Sequence, residues 1–237
     1  MKVLYILYQY LIGFPLIVLS TLFAAVFTIV CFPWKNGKVP RAVQVFWSRS
    51  VIRLLLLPIK VTGRENVDPK QSYVFVANHQ SFLDVFAVYG WLPNNFKWLM
   101  KKEIRRVPFV GTACAVAGHI FVDRSNPRAA LQSMEKVKKE LVDGISTVIF
   151  PEGTRTKTGE IGRFKQGAFK IAMDMELPVV PITLNGFYKA MPSGQPFANP
   201  FSHLSLHIGK PIDISQFTDI NDAMLHVREK VEHGIVK

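Results

Sequence analysis

The order of residue types predicts an α/β protein: a largely parallel central sheet flanked by helices, preceded by an N-terminal hydrophobic two-helix membrane anchor. Two observations carry most of that expectation. From Ile59 onward, short β-rich runs alternate with amphipathic stretches, the pattern of helices crossing over a parallel sheet. Ahead of them, Val3 to Trp34 contains no charged residue, more continuous apolar surface than a water-soluble monomer exposes. At 237 residues the chain suits one α/β domain with an accessory segment. Residues 1–58 are expected to hold the anchoring helices and residues 59–237 the α/β domain.

The leader divides in two. The stretch IGFP at 12–15 is expected to interrupt the uncharged run. That leaves Leu16 to Cys31 as about 25 Å of helix, slightly short of a bilayer core. Beyond Pro40, Ala42 to Leu57 is mostly apolar, with Gln44, Ser48, Arg49 and Arg53 near one stripe at helical spacing. A wide apolar face with a thin basic stripe suits a helix lying in the head-group layer. Two helices in one leaflet is the expectation, with a single membrane crossing as its rival. Packing of Ala42 to Leu57 on the α/β core is the alternative for the second helix. A cleaved signal peptide fits poorly, because Tyr5, Tyr8, Gln9 and Tyr10 are unlike its apolar core and no small-x-small site precedes KNGK.

The β-rich runs are IKVTG, SYVFVAN, FKWLM, HIFVDR, STVIFPEG, PVVPITLNG and LSLHIGKPI. Helical patterns fall at Ser81 to Leu92, Phe109 to Ala117, Asn126 to Val142 and Phe164 to Met175, and a closing helix follows Ser215. Open α/β sheets bind ligands beyond the carboxyl ends of their strands. In this chain NH, DR and PEGTR each follow a predicted strand.

A net charge of +12 and a pI near 9.8 predict an anionic partner. The surplus is local: 15 Lys/Arg against 7 Asp/Glu lie between Lys97 and Lys170. Nucleic acid is set aside, since no helix-turn-helix, zinc-finger or RNP-type pattern occurs and the leader would hold the protein at a bilayer. With only Cys31 and Cys114 present, a disulfide framework is not expected. No metal site is expected either, because His203 and His207 fall in a strand-like run and no His/Cys cluster has ligand spacing.

The chemistry concentrates in NHQSFLD, where His79 precedes Asp84 by five residues. Five residues apart on a continuous helix, two side chains diverge by about 140°, so both cannot be mid-helix and still meet. They meet if His79 lies in the strand-to-helix loop and Ser81 caps the helix, which sets Asp84 at the third helical position. The carboxylate would then fix one imidazole nitrogen and leave the other to take a proton from an alcohol. No G-x-S-x-G is present and neither cysteine sits in a nucleophile-like context. The dyad therefore suits a substrate hydroxyl attacking an already activated acyl group. An ordinary capping pattern beside a loop histidine is the competing reading. The amides opening the helix at Ser81 are candidates by position for stabilising an oxyanion.

Three basic loops accompany the dyad. FPEGTR carries Glu152, Gly153 and Arg155, with Lys157, Arg163 and Lys165 close behind. A guanidinium fork meets two phosphate oxygens at once, and glycine allows close backbone approach. KKEIRR supplies Lys101, Lys102, Arg105 and Arg106, and FVDR supplies Arg124. Each also has a plain reading as a turn residue or surface ion pair.

Taken together, NHQSFLD, KKEIRRVPFVG with FVDR, FPEGTR and VVPITLNG resemble, in order and spacing, the four sequence blocks of the glycerolipid acyltransferases, most nearly the bacterial 1-acyl-sn-glycerol-3-phosphate acyltransferases. The resemblance covers roughly residues 60–215. It implies an acyltransferase catalytic domain in which His79 is the general base and Asp84 orients it. It implies that Glu152, Gly153 and Arg155 bind the phosphate of a lysophosphatidate acceptor, with Lys101 and Arg124 assisting. Pro181 would mark the block on the acyl-donor side, where a structural strand-end proline is an equal reading. The implied co-substrate is an acyl-CoA or acyl-carrier-protein thioester, with no cofactor. The implied location is a bacterial inner membrane, with the catalytic domain facing the cytoplasm. Transfer to another acceptor (glycerol-3-phosphate, a different lysophospholipid or an aminoacyl lipid) and a non-catalytic lipid-binding role are the alternatives.

Overall fold

The computed structural model describes residues 1–31, 38–123, 135, 137–141 and 143–235. The leader is one continuous helical rod from Lys2 to Cys31, made of α1 (Lys2–Tyr8), a π turn (Gln9–Gly13) and α2 (Phe14–Cys31). The expected break at 12–15 does not occur. Pro15 has no N–H and its ring crowds the preceding turn of a regular helix. Here that turn is widened, with the Phe14 N–H donating to Gln9 O, so the helix continues past the proline. At 1.5 Å per residue the rod is about 45 Å long. Its length and mean hydropathy of 2.4 make it a candidate membrane anchor, and Leu4, Leu11, Phe14, Leu19 and Phe23 are exposed along it.

The rod is tied to the rest of the protein along its length: Ala24, Ala25 and Thr28 are buried, Trp47 Nε1 donates to Thr21 Oγ1 at 3.0 Å, and further bonds lie near its start. Tyr5 donates its hydroxyl to Leu55 O, and Tyr8 does the same to Leu54 O at 2.9 Å. Gln9 is buried, and its amide pairs both ways with the backbone of Ala198, donating at 3.0 Å and accepting at 2.8 Å.

The second helix, α3 (Lys38–Leu54), takes the alternative given above and packs on the α/β core. Val51, Ile52 and Leu55 are buried in the same cluster as Phe75 of the sheet. Of the polar stripe, Gln44, Ser48 and Arg49 face protein, while Arg53 is exposed. Arg41 donates to the carbonyls of Leu92, Pro93 and Asn94, Arg49 to Gly90 O, and Gln44 accepts from Tyr89. These two arginines meet the carbonyl-rich end of α4 (Leu83–Trp91), where positive charge complements the helix dipole.

The sheet has the seven strands expected: β1 (Ile59–Thr62), β2 (Val74–Ala77), β3 (Asn95–Lys101), β4 (Ile120–Val122), β5 (Ile145–Ile149), β6 (Val179–Asn185) and β7 (Leu204–Ile208), in the order β1-β7-β6-β2-β5-β3-β4. Every pairing is parallel except β6 with β7. The central strand β2 reads VFVA and is buried at every position. Phe75 and Ala77 face a core built with α3 and α4, while Val74 and Val76 face a second core built with α6 (Gly167–Asp174) and α8 (Ile220–His233). Cover on both faces is why such a strand is continuously apolar. The expected Asn126 to Val142 helix falls largely outside the described residues; within it, residues 137–140 are helical and Val137 is fully buried. The remaining helices are α5 (Val110–Val116) and the short α7 (Phe187–Ala190).

Candidate active site

The site forms where β2 ends. Asn78 replaces the next rung of the β2–β6 ladder with its side chain, donating to Leu184 O at 3.0 Å and accepting from Leu184 N at 2.8 Å. This holds the strand end rigidly while the chain turns away at His79. The regular helix begins at Leu83, but its first turn opens at Ser81. There Ser81 Oγ accepts from the Leu83 N–H at 3.2 Å, and Asp84 reaches back to the Ser81 N–H at 2.8 Å. Asp84 thus makes the reach-back half of a capping box, while the serine hydroxyl caps the N–H two residues on.

The reach-back brings His79 and Asp84 together. Nδ1 of His79 lies 2.9 Å from Oδ2 of Asp84, and the same oxygen accepts from the Gln80 N–H at 2.6 Å. Asp84 is fully buried. Burial pushes its carboxyl up from the ordinary range, opposed by the hydrogen bond and charge of His79 and by the two backbone donors. With Nδ1 donating to the carboxylate, Nε2 is left as an acceptor. The imidazole is stacked on Phe150 at 4.0 Å between ring centres and 12° between planes, and Phe150 stacks in turn on Trp98. The His79 side chain keeps 17% exposure, so its free edge is reachable.

These bonds also narrow an expectation. The amides of Gln80 and Ser81 are taken by Asp84 and that of Leu83 by Ser81 Oγ, so of the amides opening this helix Phe82 N–H is the one left as a candidate for an oxyanion.

The FPEGTR loop, leaving β5, is stitched onto the dyad. Thr156 N–H donates to His79 O at 2.9 Å. Glu152 accepts the His79 N–H at 2.7 Å on one oxygen and the Gly162 N–H at 2.8 Å on the other. Glu152 is buried, and burial raises its carboxyl above the usual range against those two donors. Both oxygens thus hold backbone, and Glu152 braces the loop against the dyad. Gly153 sits at φ +77°, and a Cβ there would come within 2.8 Å of Lys165 Nζ. The glycine therefore serves both the left-handed turn and the close approach of that lysine. Arg155 is exposed beside Thr156.

Lys101 is the last residue of β3, exposed, and 3.9 Å from Glu103. Lys102 is paired with Asp123 at 2.6 Å, and Arg105 is turned back onto Gly111 O. Arg124 lies outside the described residues. Pro181 is apart from the dyad, buried inside β6 in register with Val76, three residues before His79. Its carbonyl accepts from Gly209 N, and its missing N–H falls on the side where the chain leaves β7.

Sequence reasoning missed Phe150 as the ring supporting His79 and Phe82 as part of a cavity. That cavity, of about 220 Å³, lies beside α4 and is bounded by Phe82, Phe86, Trp98, Met100, Ala113 and Ala24. Phe150 immediately precedes PEGTR, and that adjacency was the available signal.

A family model described as Acyltransferase matches residues 58–185. The chain belongs to the acyltransferase family. Among acyltransferase relatives, the chloroplastic 1-acyl-sn-glycerol-3-phosphate acyltransferase of Arabidopsis thaliana is 35% identical over 176 residues, 73% of this chain and 49% of that protein. The alpha form from Homo sapiens is 36% identical over 146 residues, 58% and 52% of the two chains. This chain spans about half the length of these curated relatives. The crystal structure of the 1-acyl-sn-glycerophosphate (LPA) acyltransferase PlsC from Thermotoga maritima matches with a TM-score of 0.83 at 26% identity, over 98% of this chain and 94% of that one.

Proposed function

We propose that this acyltransferase moves a fatty acyl group from a thioester donor to the free 2-hydroxyl of 1-acylglycerol-3-phosphate, giving phosphatidate, at a membrane surface. The observation that carries the reading is the 2.9 Å contact between His79 and Asp84, bonded directly to the phosphate-suited loop through Thr156 and Glu152. In the proposed step the acceptor hydroxyl donates to Nε2 of His79. Its oxygen attacks the thioester carbonyl as the proton passes to the imidazole, and Asp84 stabilises the imidazolium that forms. The C–S bond breaks, an ester forms, and the departing thiolate recovers the proton from His79. General-base assistance of this kind is worth about 10² to 10⁴ in rate.

Arg155 and Lys165, with Lys101 at the end of β3, supply positive charge for the acceptor phosphate, which carries about −1.5 to −2; Arg124, outside the described residues, is assigned with them on the family resemblance alone. Glu152 and Gly153 set the shape of that loop. The apolar cavity beside α4 suits the donor's chain, with its carrier, coenzyme A or acyl carrier protein, remaining outside. The parallel with plain acid–base chemistry leaves no step for a cofactor. Residues 1–58 act as the membrane-attached part and residues 59–237 as the catalytic part, at a bacterial inner membrane facing the cytoplasm. Pro181 acts as a structural element of β6.

The test is thiol release by the purified full-length chain, with an acyl thioester and a panel of acceptors. Phosphatidate and thiol should form in equal amounts with lysophosphatidate. A rate with lysophosphatidate no higher than with phosphate-free monoacylglycerol would sink the assignment.

A further inference from the structure

The proposed reaction brings two hydrocarbon chains to one imidazole: the chain on the thioester, and the chain the acceptor already carries. Two apolar cavities flank a single aromatic pair at this place. Phe82 and Phe86, edge to face with ring centres 5.2 Å apart, line both the 220 Å³ cavity and a second one of about 120 Å³. The second is bounded by Phe14 and Ile17 of α2, Leu55 below α3, Leu83 of α4, and Met191 and Phe197 of the loop after α7.

Three features fit this smaller groove to a lipid tail. Its polar wall residue, Gln9, has its amide oxygen and nitrogen satisfied by Ala198, so nothing there calls for a polar guest. One rim is Phe14, 60% exposed on the uncharged face of the rod, the side from which a membrane lipid would arrive. The other rim is Phe82 and Leu83, in the turn where Ser81 and Asp84 hold His79.

We propose that the 120 Å³ groove seats the acyl chain already present on the acceptor, and that the Phe82–Phe86 pair is the partition between acceptor and donor chains. The inference rests on the acceptor reading given above. The difference in size has a physical reason: a donor chain leaves its carrier and must be sheltered from water, whereas the acceptor's chain needs only its first few methylenes held while the rest stays in lipid.

The test uses the full chain and lysophosphatidates with tails of about four to about ten carbons, monomeric in buffer, where each methylene buried from water is worth about fourfold in kcat/KM. The unaltered protein should show a climb with acceptor tail length. Ile17→Trp, which fills the groove, should stop the climb early. Long-tailed acceptors should lose at least about tenfold while the shortest changes less than about twofold, with the donor chain-length profile unchanged. Phe197→Ala, which removes bulk, should let the climb continue to longer tails. An acceptor of about four carbons with a diazirine at its tail end, short enough to lie wholly within the groove, should form adducts on Ile17, Leu55 or Phe197. Adducts on Ala113 or Cys114, or an Ile17→Trp effect on the donor profile alone, would overturn the assignment. If instead the unaltered protein releases no thiol with any lysophosphatidate, the acceptor reading itself has failed.

Discussion

Replacing Asp84 by asparagine separates the chemical part of this carboxylate from its structural part. One oxygen, Oδ2, receives His79 Nδ1 at 2.9 Å, the Gln80 N–H at 2.6 Å and the Ser81 N–H at 2.8 Å. The other, Oδ1, has no hydrogen-bond partner among the described residues. An asparagine can put its carbonyl where Oδ2 was and its NH2 where Oδ1 was, keeping all three contacts while losing the charge. Hydrogen bonds to a charged group are worth about 1.5–3 kcal/mol against about 0.5–1.5 for neutral ones, so the variant gives up roughly 1 kcal/mol per bond. Against that, burial raises the carboxyl's pKa, and each unit of such a rise corresponds to about 1.4 kcal/mol spent keeping the group ionised. Removing the charge relieves that penalty. The sign is consistent: a raised folded-state pKa contributes stability below the unfolded pKa and loses it as pH rises through the folded value. The new NH2 finds no acceptor at the Oδ1 position and costs about 1–3 kcal/mol, which opposes that relief, so at neutral pH the thermal midpoint should stay within a few degrees of the parent's. The imidazolium formed during transfer loses its counter-charge, so kcat should fall by about 10² or more. Calorimetry beside steady-state thiol release measures both. A variant keeping more than a third of parental kcat would refute the dyad, and one losing activity only in step with its midpoint would make Asp84 a cap and nothing more.

His79→Ala should reduce kcat by at least about 10² with the acceptor KM little changed; an active, folded variant counts against the mechanism. Arg155→Ala should raise the acceptor KM by about tenfold or more, the loss of a charge-assisted hydrogen bond, leaving the donor KM alone. Equal losses with a phosphate-free acceptor would remove Arg155 from phosphate binding. Glu152→Gln replaces one of two backbone acceptors by a donor, orphaning the N–H of His79 or Gly162 at about 1–3 kcal/mol, so the midpoint should drop by several degrees. His119 is fully buried between Trp98 N and Tyr89 Oη, and burial lowers its pKa from 6.5 to about 3. Its depressed value contributes stability above the unfolded pKa that is lost as pH falls through 6.5 toward 3, at up to about 1.4 kcal/mol per pH unit. His119→Gln should flatten that acid slope in urea titrations run at several pH values.

The sheet was legible because each strand carries a local signature, an apolar run ended by a turn residue, and parallel pairing then follows from the helices between. The reversed direction of β7, and of β1 beside it, was not, since one antiparallel pairing leaves no mark on composition. The dyad was readable from one capping pattern, because Ser81 and Asp84 define the first turn whatever surrounds them. Two features stayed hidden for one reason. Most of the polar stripe on α3 meets protein, and the helix runs on through Pro15. Periodicity says that a face differs from its opposite but not what lies against it, and a π turn is invisible until the neighbouring hydrogen bonds are known. The role of Glu152 was hidden similarly, since its partners are backbone amides, which every residue possesses.

The paired amide of Gln9 has a consequence for how the molecule could be rebuilt. Gln9 meets Ala198 across 189 positions of chain, so the hydrophobic rod is keyed to the body at one rotation and one elevation. A foreign hydrophobic leader of equal length would still partition into lipid, yet it would leave the Ala198 amide and carbonyl bare and lose the bonds of Tyr5, Tyr8 and Thr21 that share the task of setting the body's height. Chimeras that exchange the leader should therefore work best when the carboxamide and these hydroxyls are restored at their rungs.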